Sequence, residues 1–227
     1  MLFDDWGVLV NNLVRRIYRL IAGGRFSTSS EYWQTRYADG GSSGYGSYGR
    51  LAQFKATVLN DLVRSAGVQS VLELGCGDGA QLALASYPSY LGVDVSPAAV
   101  SMCSSRFADD RTKSFITLDS FHQDNPTADL SLSLDVIYHL VEDRVFEDYM
   151  RDLFGAAKRL VAIYSSNSDA IADPAPHVRH RAFTEWVTHN MTGWRLVATQ
   201  KNPYPYDWRD RKKTSPCDFY IFEKLAP

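Results

Sequence analysis

The sequence predicts an α/β fold: a mostly parallel seven-stranded sheet with one antiparallel strand, covered by helices on both faces and preceded by an N-terminal helical segment. Three observations predict it. Short runs of apolar and β-favouring residues recur along the chain, stretches of helical spacing alternate with them, and the chain closes on two further strand-like runs separated by a Pro-rich loop.

From Leu2 to Ile21 the apolar residues Leu2, Trp6, Leu9, Leu13, Ile17 and Leu20 recur at steps of three or four with Arg15, Arg16 and Arg19 between them, which predicts one amphipathic helix ended by Gly23 and Gly24. Dimerisation or peripheral association with a membrane surface or partner enzyme are roles open to it, beside packing on its own domain. Gly40 to Gly49 then draws on three residue types only, five Gly, three Ser and two Tyr, the composition of a linker or of a mobile cover. Helical spacing resumes from Leu51 to Ser65. Strands are expected at Val68 to Leu74, Tyr90 to Val93, Ser114 to Leu118, Leu130 to Leu134 and Leu160 to Tyr164, with helices at Ala80 to Ser86, Pro97 to Phe107 and Asp143 to Lys158. A helix near Arg181 to Asn190 and strands at Trp194 to Thr199 and Asp218 to Glu223 complete the chain, and "KNPYPYDWRDRKKTSP" between those two strands reads as a charged surface loop.

At 227 residues one core is expected, as residues 51–227, with residues 1–50 as an appendage. A net charge of −2 supplies no global field for nucleic acid or anionic lipid, so any anion binding is local. Three scattered cysteines without a C-x-x-C pair point to a reducing compartment and to neither disulfides nor a metal site. Acids follow the first methionine where a signal peptide carries positive charge, and no apolar run reaches the roughly 18 residues of a membrane span, so the expected location is cytoplasmic.

The strongest motif is "VLELGCGDG", Val71 to Gly79: a hydrophobic strand runs into Gly75, Gly77 and Gly79, and a helix is expected next, so the backbone can turn sharply and lie against a ligand. The following strand, "YLGVDVS", ends in Asp94, 19 residues after Gly75, where a carboxylate can accept both hydroxyls of a ribose. Nucleoside binding follows. The compact E-x-G-x-G-x-G run resembles the first motif of the class I S-adenosylmethionine-dependent methyltransferases, of the small-molecule type found in bacterial surface-glycan and secondary-metabolite pathways. That resemblance implies a Rossmann-like doubly wound fold, S-adenosyl-L-methionine as cofactor, and cofactor contacts from Glu73, Gly75, Cys76 and Gly77, then Asp94 and Val95, then Asp119, Ser120 and Phe121 around the adenine.

In "DLSLSLDVIYHLVED" the resemblance places Leu134 and Asp135 beside the methionine end, with Tyr138 and His139 facing the acceptor, and His139 is positioned to act as a base. The turn lacks the Asn/Asp-Pro-Pro-aromatic sequence of enzymes that methylate nucleobase amines, so a nucleic-acid substrate is not expected. "HVRHR" gathers His177, Arg179, His180 and Arg181 ahead of a helix, which suits either a phosphate or carboxylate site or a solvated basic turn. "EYWQTRY" looks like the aromatic segment that closes over the cofactor in this class; by analogy Tyr32, Trp33 and Arg36 pack on its methionine end, Tyr37 faces the acceptor, and the glycines after it give the lid its mobility. The expectation is methylation of a polar, anion-bearing small molecule, on oxygen, in a biosynthetic pathway; a non-catalytic S-adenosylmethionine-binding sensor or assembly subunit is the alternative.

Overall fold

The computed structural model describes residues 26–171 and 175–225; the amphipathic helix expected at Leu2 to Ile21 lies outside them. The chain runs α1 (Ser29–Ala38), a 3-10 turn at Tyr45–Ser47, α2 (Gly49–Ser65), β1 (Val71–Leu74), β2 (Tyr90–Asp94), α3 (Pro97–Arg106), β3 (Lys113–Thr117), α4 (Leu118–Asp124), β4 (Ala128–Leu134), α5 (Asp143–Gly155), β5 (Ala157–Ser165), α6 (Phe183–Asn190), β6 (Trp194–Gln200) and β7 (Asp218–Lys224).

The seven strands lie in the order β3-β2-β1-β4-β5-β7-β6, and only β7 runs against its neighbours. The order reverses direction between β1 and β4, and ligands of such sheets bind beyond the carboxyl ends of the strands flanking that point. Both faces are covered over the central strands β1, β4 and β5, which is why these read as apolar runs rather than alternations. Leu130, Leu132 and Leu134 of β4 turn toward a cluster with Leu59 and Val63 of α2, while Val161 and Ile163 of β5 join Met150, Phe154 and Phe183 beneath α5 and α6.

Two expectations change. The helix expected at Ala80 to Ser86 is only a 3-10 turn, Leu82–Leu84. Asn60 of α2 explains it: its side chain donates to the carbonyl of Leu84 and accepts from the backbone N–H of Ser86, satisfying groups a longer helix would have bonded internally. Conversely α4, unforeseen, starts where Thr117 Oγ1 accepts from the N–H of Ser120, a side-chain cap on a seven-residue helix too short for a periodicity to show.

Candidate functional site

At the switch point a cavity of about 370 Å³ opens above the carboxyl ends of β1, β2 and β4, within the size range of small-ligand sites. The glycine loop forms its floor. Gly75 and Gly77 adopt φ of 85° and 58°, and a Cβ on Gly77 would stand 2.3 Å from Ser43 Oγ, so only glycine admits the segment packed above it. The loop's N–H groups are not presented by a helix as expected. Gly77 N–H donates to Asp94 Oδ2 (2.9 Å), Asp78 N–H to Ser43 Oγ (3.0 Å) and Ala80 N–H to Asp78 Oδ1 (3.0 Å).

Asp94 ends β2 with its second oxygen accepting from Ser96 N–H at 2.9 Å. Burial pushes its carboxyl above the ordinary value even against these donors. Glu73, also buried, is pushed up to about 7, chiefly by burial, with the Tyr90 hydroxyl at 2.6 Å and Lys55 opposing. Such groups favour a cationic or hydroxyl-bearing ligand, which restores what burial removed.

Lys55 was not foreseen. It is 1% exposed, lines the cavity, and places Nζ 2.6 Å from Asp135 Oδ2, while the Tyr138 hydroxyl donates to Asp135 Oδ1 at 3.0 Å. Asp135 follows β4 with φ of 60°, a left-handed conformation for a non-glycine residue, held by its N–H bond to the carbonyl of Tyr164. A signal existed, since Lys55 sits midway between Leu51 and Leu59 on the apolar face of α2 at steps of four.

His139 lines the cavity against the edge of Trp33, ring centroids 4.9 Å apart. Its Nδ1 lies 3.1 Å from the carbonyl oxygen of His177. A carbonyl only accepts, so Nδ1 carries the proton and Nε2 keeps a lone pair. Burial, more than the opposing carbonyl bond, pulls its pKa down to about 4. The ring is thus neutral at pH 7.

Residues 29–50 cover the glycine loop. Tyr37, buried, bonds Ser43 Oγ at 2.9 Å; Ser43 N–H and the Tyr48 hydroxyl both donate to Asp78 Oδ2, at 2.9 and 2.8 Å. Burial would raise the Asp78 carboxyl, but these bonds and that from Ala80 hold it below the ordinary range.

Of the expected residues the cavity brings together Trp33, Tyr37, Glu73, Gly75, Cys76, Gly77, Asp94, Val95, Leu134, Asp135 and His139. The others lie outside its lining. Where the adenine was expected, α4 turns Leu118 and His122 to the cavity instead, leaving Asp119 exposed, Phe121 in the core and the Ser120 N–H bonded to Thr117 Oγ1. Tyr32 stacks on His177 at 4.2 Å, and Arg36 donates to the Ser42 carbonyl and the Tyr32 hydroxyl. Tyr138 stands behind Asp135, and His180 Nδ1 meets Ser166 Oγ at 2.6 Å. Arg179 and Arg181, expected on an anionic acceptor, instead meet Asp143 at 2.9 and 3.1 Å and donate to the carbonyls of Leu140 and Val141. They brace the loop whose Val141 and Glu142 hold Ser29 at the start of α1. Their partner lies 36 and 38 residues upstream, out of reach of a local sequence pattern.

A glycine loop, a ribose-competent carboxylate after β2 and a reversed seventh strand define a Rossmann-like nucleoside-binding domain. Residues 72–163 match the family model described as "Methyltransferase domain", so this part of the chain is similar to the S-adenosylmethionine-dependent methyltransferases that its glycine motif resembles. Among solved structures the chain is similar to the N-methyltransferase NodS of Bradyrhizobium japonicum WM9 in complex with S-adenosylhomocysteine, at 17% identity and TM-score 0.68 over 88% of this chain and 100% of that one. It is similar also to magnesium protoporphyrin IX methyltransferase of Synechocystis PCC 6803 with S-adenosylmethionine bound, at 17% identity and TM-score 0.59 over 93% and 96% of the two chains. An O-methyltransferase family protein of Burkholderia thailandensis gives 15% identity and TM-score 0.58 over 78% and 57%. No curated protein matches the sequence.

The cofactor this similarity implies is S-adenosyl-L-methionine, and the residues lining the cavity fit it. Six carboxylates line the cavity (Glu73, Asp78, Asp94, Asp135, Asp148 and Asp152) against a single Lys or Arg, Lys55. That balance suits a sulfonium and an ammonium and opposes a dinucleotide's pyrophosphate. Among the described residues no helix is long and apolar enough to cross a membrane, and no cluster of His, Cys, Asp and Glu is arranged to hold a metal ion.

Proposed function

We propose that the chain methylates an oxygen of a polar small molecule in a biosynthetic pathway, with His139 accepting the proton that the acceptor releases. The observation that carries this is the tautomer of His139: Nδ1 is committed to the His177 carbonyl, which leaves the Nε2 lone pair as the basic site on a residue that lines the cavity. The bound cofactor supplies a methyl group on a positively charged sulfur, transferred in line to a nucleophile. Asp94 holds the ribose hydroxyls, and Glu73 faces the ammonium. Lys55, the one Lys or Arg of the lining, takes the methionine carboxylate; Asp135 fixes its position. Trp33, Tyr37 and the segment bound through Asp78 act as a lid that keeps water from the sulfur.

Proteins of similar fold include N-, carbon- and O-methyltransferases, so it is this site and not the fold that bears on the acceptor atom. The test is methyl release from labelled S-adenosylmethionine with a panel of hydroxyl, carboxylate and amine acceptors. Turnover of hydroxyl acceptors that falls ~100-fold in His139→Ala supports the reading; turnover of amines alone, or cofactor binding without turnover of any class, refutes it.

A further inference from the structure

The reversed strand places a loop at the catalytic edge. β6 ends at Gln200, paired with Phe219, and β7 starts at Asp218, paired with Ser165 at the carboxyl end of β5. The connection 201–217 therefore leaves and re-enters the sheet on the side where the cavity opens. It is a built element: Asn202 Nδ2 donates to the carbonyls of Tyr204 and Ser215, both at 3.1 Å, and Ser215 N–H to Tyr204 O at 3.0 Å. Arg50, next to the lid, ties it down with Nε 2.6 Å from the Lys213 carbonyl, its guanidinium 3.6 Å from Asp210 and 4.3 Å over the Tyr204 ring.

Its outer surface is cationic and aromatic. Arg209, Arg211, Lys212 and Lys213 are exposed and form no ion pair among the described residues, whereas the loop's two acids are engaged, Asp207 with the Arg209 N–H at 2.8 Å and Asp210 with Arg50. Trp208 is 69% exposed and Tyr206 48%. Lys212 Nζ lies 5.1 Å from the ring of Tyr45, itself 59% exposed. Tyr45 opens the 3-10 turn in which Gly46 meets the Asp135 carboxylate, where a Cβ would stand 2.8 Å from Oδ2, and Ser47 lines the cavity. One turn of chain thus joins the cationic surface to the floor of the site.

We propose that this surface, Tyr45 with Arg209, Arg211, Lys212, Lys213 and Trp208, binds a phosphate-bearing part of the methyl acceptor outside the acidic cavity, its ring stacking on the exposed aromatics. The proposal rests on the methyltransferase reading and deepens it to a substrate class: a phosphorylated, ring-containing small molecule. Cations matched to phosphate oxygens and aromatic faces matched to a sugar or base are the chemistry required. The acids inside the cavity would repel that group, so the acceptor enters with its anion left at the rim. A membrane surface is the less suited partner, because residues 201–216 contain no Leu, Ile, Val, Phe or Met to bury among acyl chains.

Uridine diphosphate and inorganic pyrophosphate are the probes, titrated calorimetrically into the wild-type chain and into the triple variant Arg211→Glu, Lys212→Glu, Lys213→Glu, with S-adenosylhomocysteine titrated into both. The expected result is saturable, salt-sensitive binding of both probes, weakened about tenfold or more in the triple variant, with S-adenosylhomocysteine affinity unchanged. Trp208→Ala is expected to weaken uridine diphosphate more than pyrophosphate, which has no ring. Equal affinity of wild type and triple variant for the probes, no binding of either, or association with anionic phosphatidylserine vesicles in place of them overturns the proposal. Failure of S-adenosylhomocysteine to bind the wild type overturns the methyltransferase reading instead, and this one with it.

Discussion

Replacing Lys55 by Met separates two roles of one buried ammonium. Its Nζ is 2.6 Å from Asp135 and 1% exposed, so removal strands a carboxylate that retains only the Tyr138 hydroxyl, and breaking a buried pair in this way costs about 3–5 kcal/mol. Against a typical total of about 5–15 kcal/mol the variant still folds but melts early. Adding Asp135→Asn removes the stranded charge and is expected to return most of the loss. The second role is read with ligands. Nζ has three donors, of which one is committed to Asp135; a charge-assisted bond from the others to the cofactor carboxylate contributes roughly 1.5–3 kcal/mol, or about 10- to 150-fold in Kd. Calorimetry on the double variant should therefore show S-adenosylhomocysteine weakened by that factor, and its decarboxylated analogue, which lacks the group in question, nearly unchanged relative to wild type. Equal weakening of both ligands would show that Lys55 only supports the fold, and the assignment would be lost.

His139 is expected to keep hydroxyl-acceptor turnover constant as pH falls from 7 to about 5, because its depressed pKa of about 4 leaves the ring unprotonated well below the usual histidine range; an acid limb of kcat/KM near 6.5 would refute it. Arg181→Ala should lower Tm, since the buried guanidinium braces Leu140, Val141 and Asp143 and packs 4.8 Å from the Phe146 ring, while leaving cofactor affinity intact; thermal melts beside calorimetry check both halves. Ser43→Ala with Tyr48→Phe should reduce turnover more than it reduces Tm, because the bonds lost join the lid to the glycine loop rather than to the core. Deleting Gly40 to Gly49 should abolish turnover while a cooperative melt survives.

What the sequence made legible is what chain neighbours decide. The strand entering Gly75 and the strand ending in Asp94 are local patterns, and a mostly parallel sheet covered on both faces follows once strand and helix alternate. The site's other half depends on pairings between distant segments. Asp143 captures Arg179 and Arg181, Asp78 captures Ser43 and Tyr48, and Asp135 captures Lys55 across 80 residues. In each case the charged side chain was visible and its partner was not, so an unpaired arginine looked like a site and a paired lysine like part of an ordinary helix. The helix expected after the glycine loop failed for a similar reason, with Asn60 supplying bonds from another element.

If residues 29–50 act as the proposed lid, Asp78 also sets how that segment parts from the loop beneath it. Ser43 N–H and the Tyr48 hydroxyl end on the same atom, Oδ2, so the two attachments are not independent fastenings. A displacement that stretches one stretches the other, and half-release leaves a partly desolvated carboxylate with neither full solvation nor its donors. With Ser43 Oγ also accepting from the Asp78 N–H, all three fastenings meet at one residue, so on the proposed lid reading the segment is expected to release as a unit rather than bond by bond.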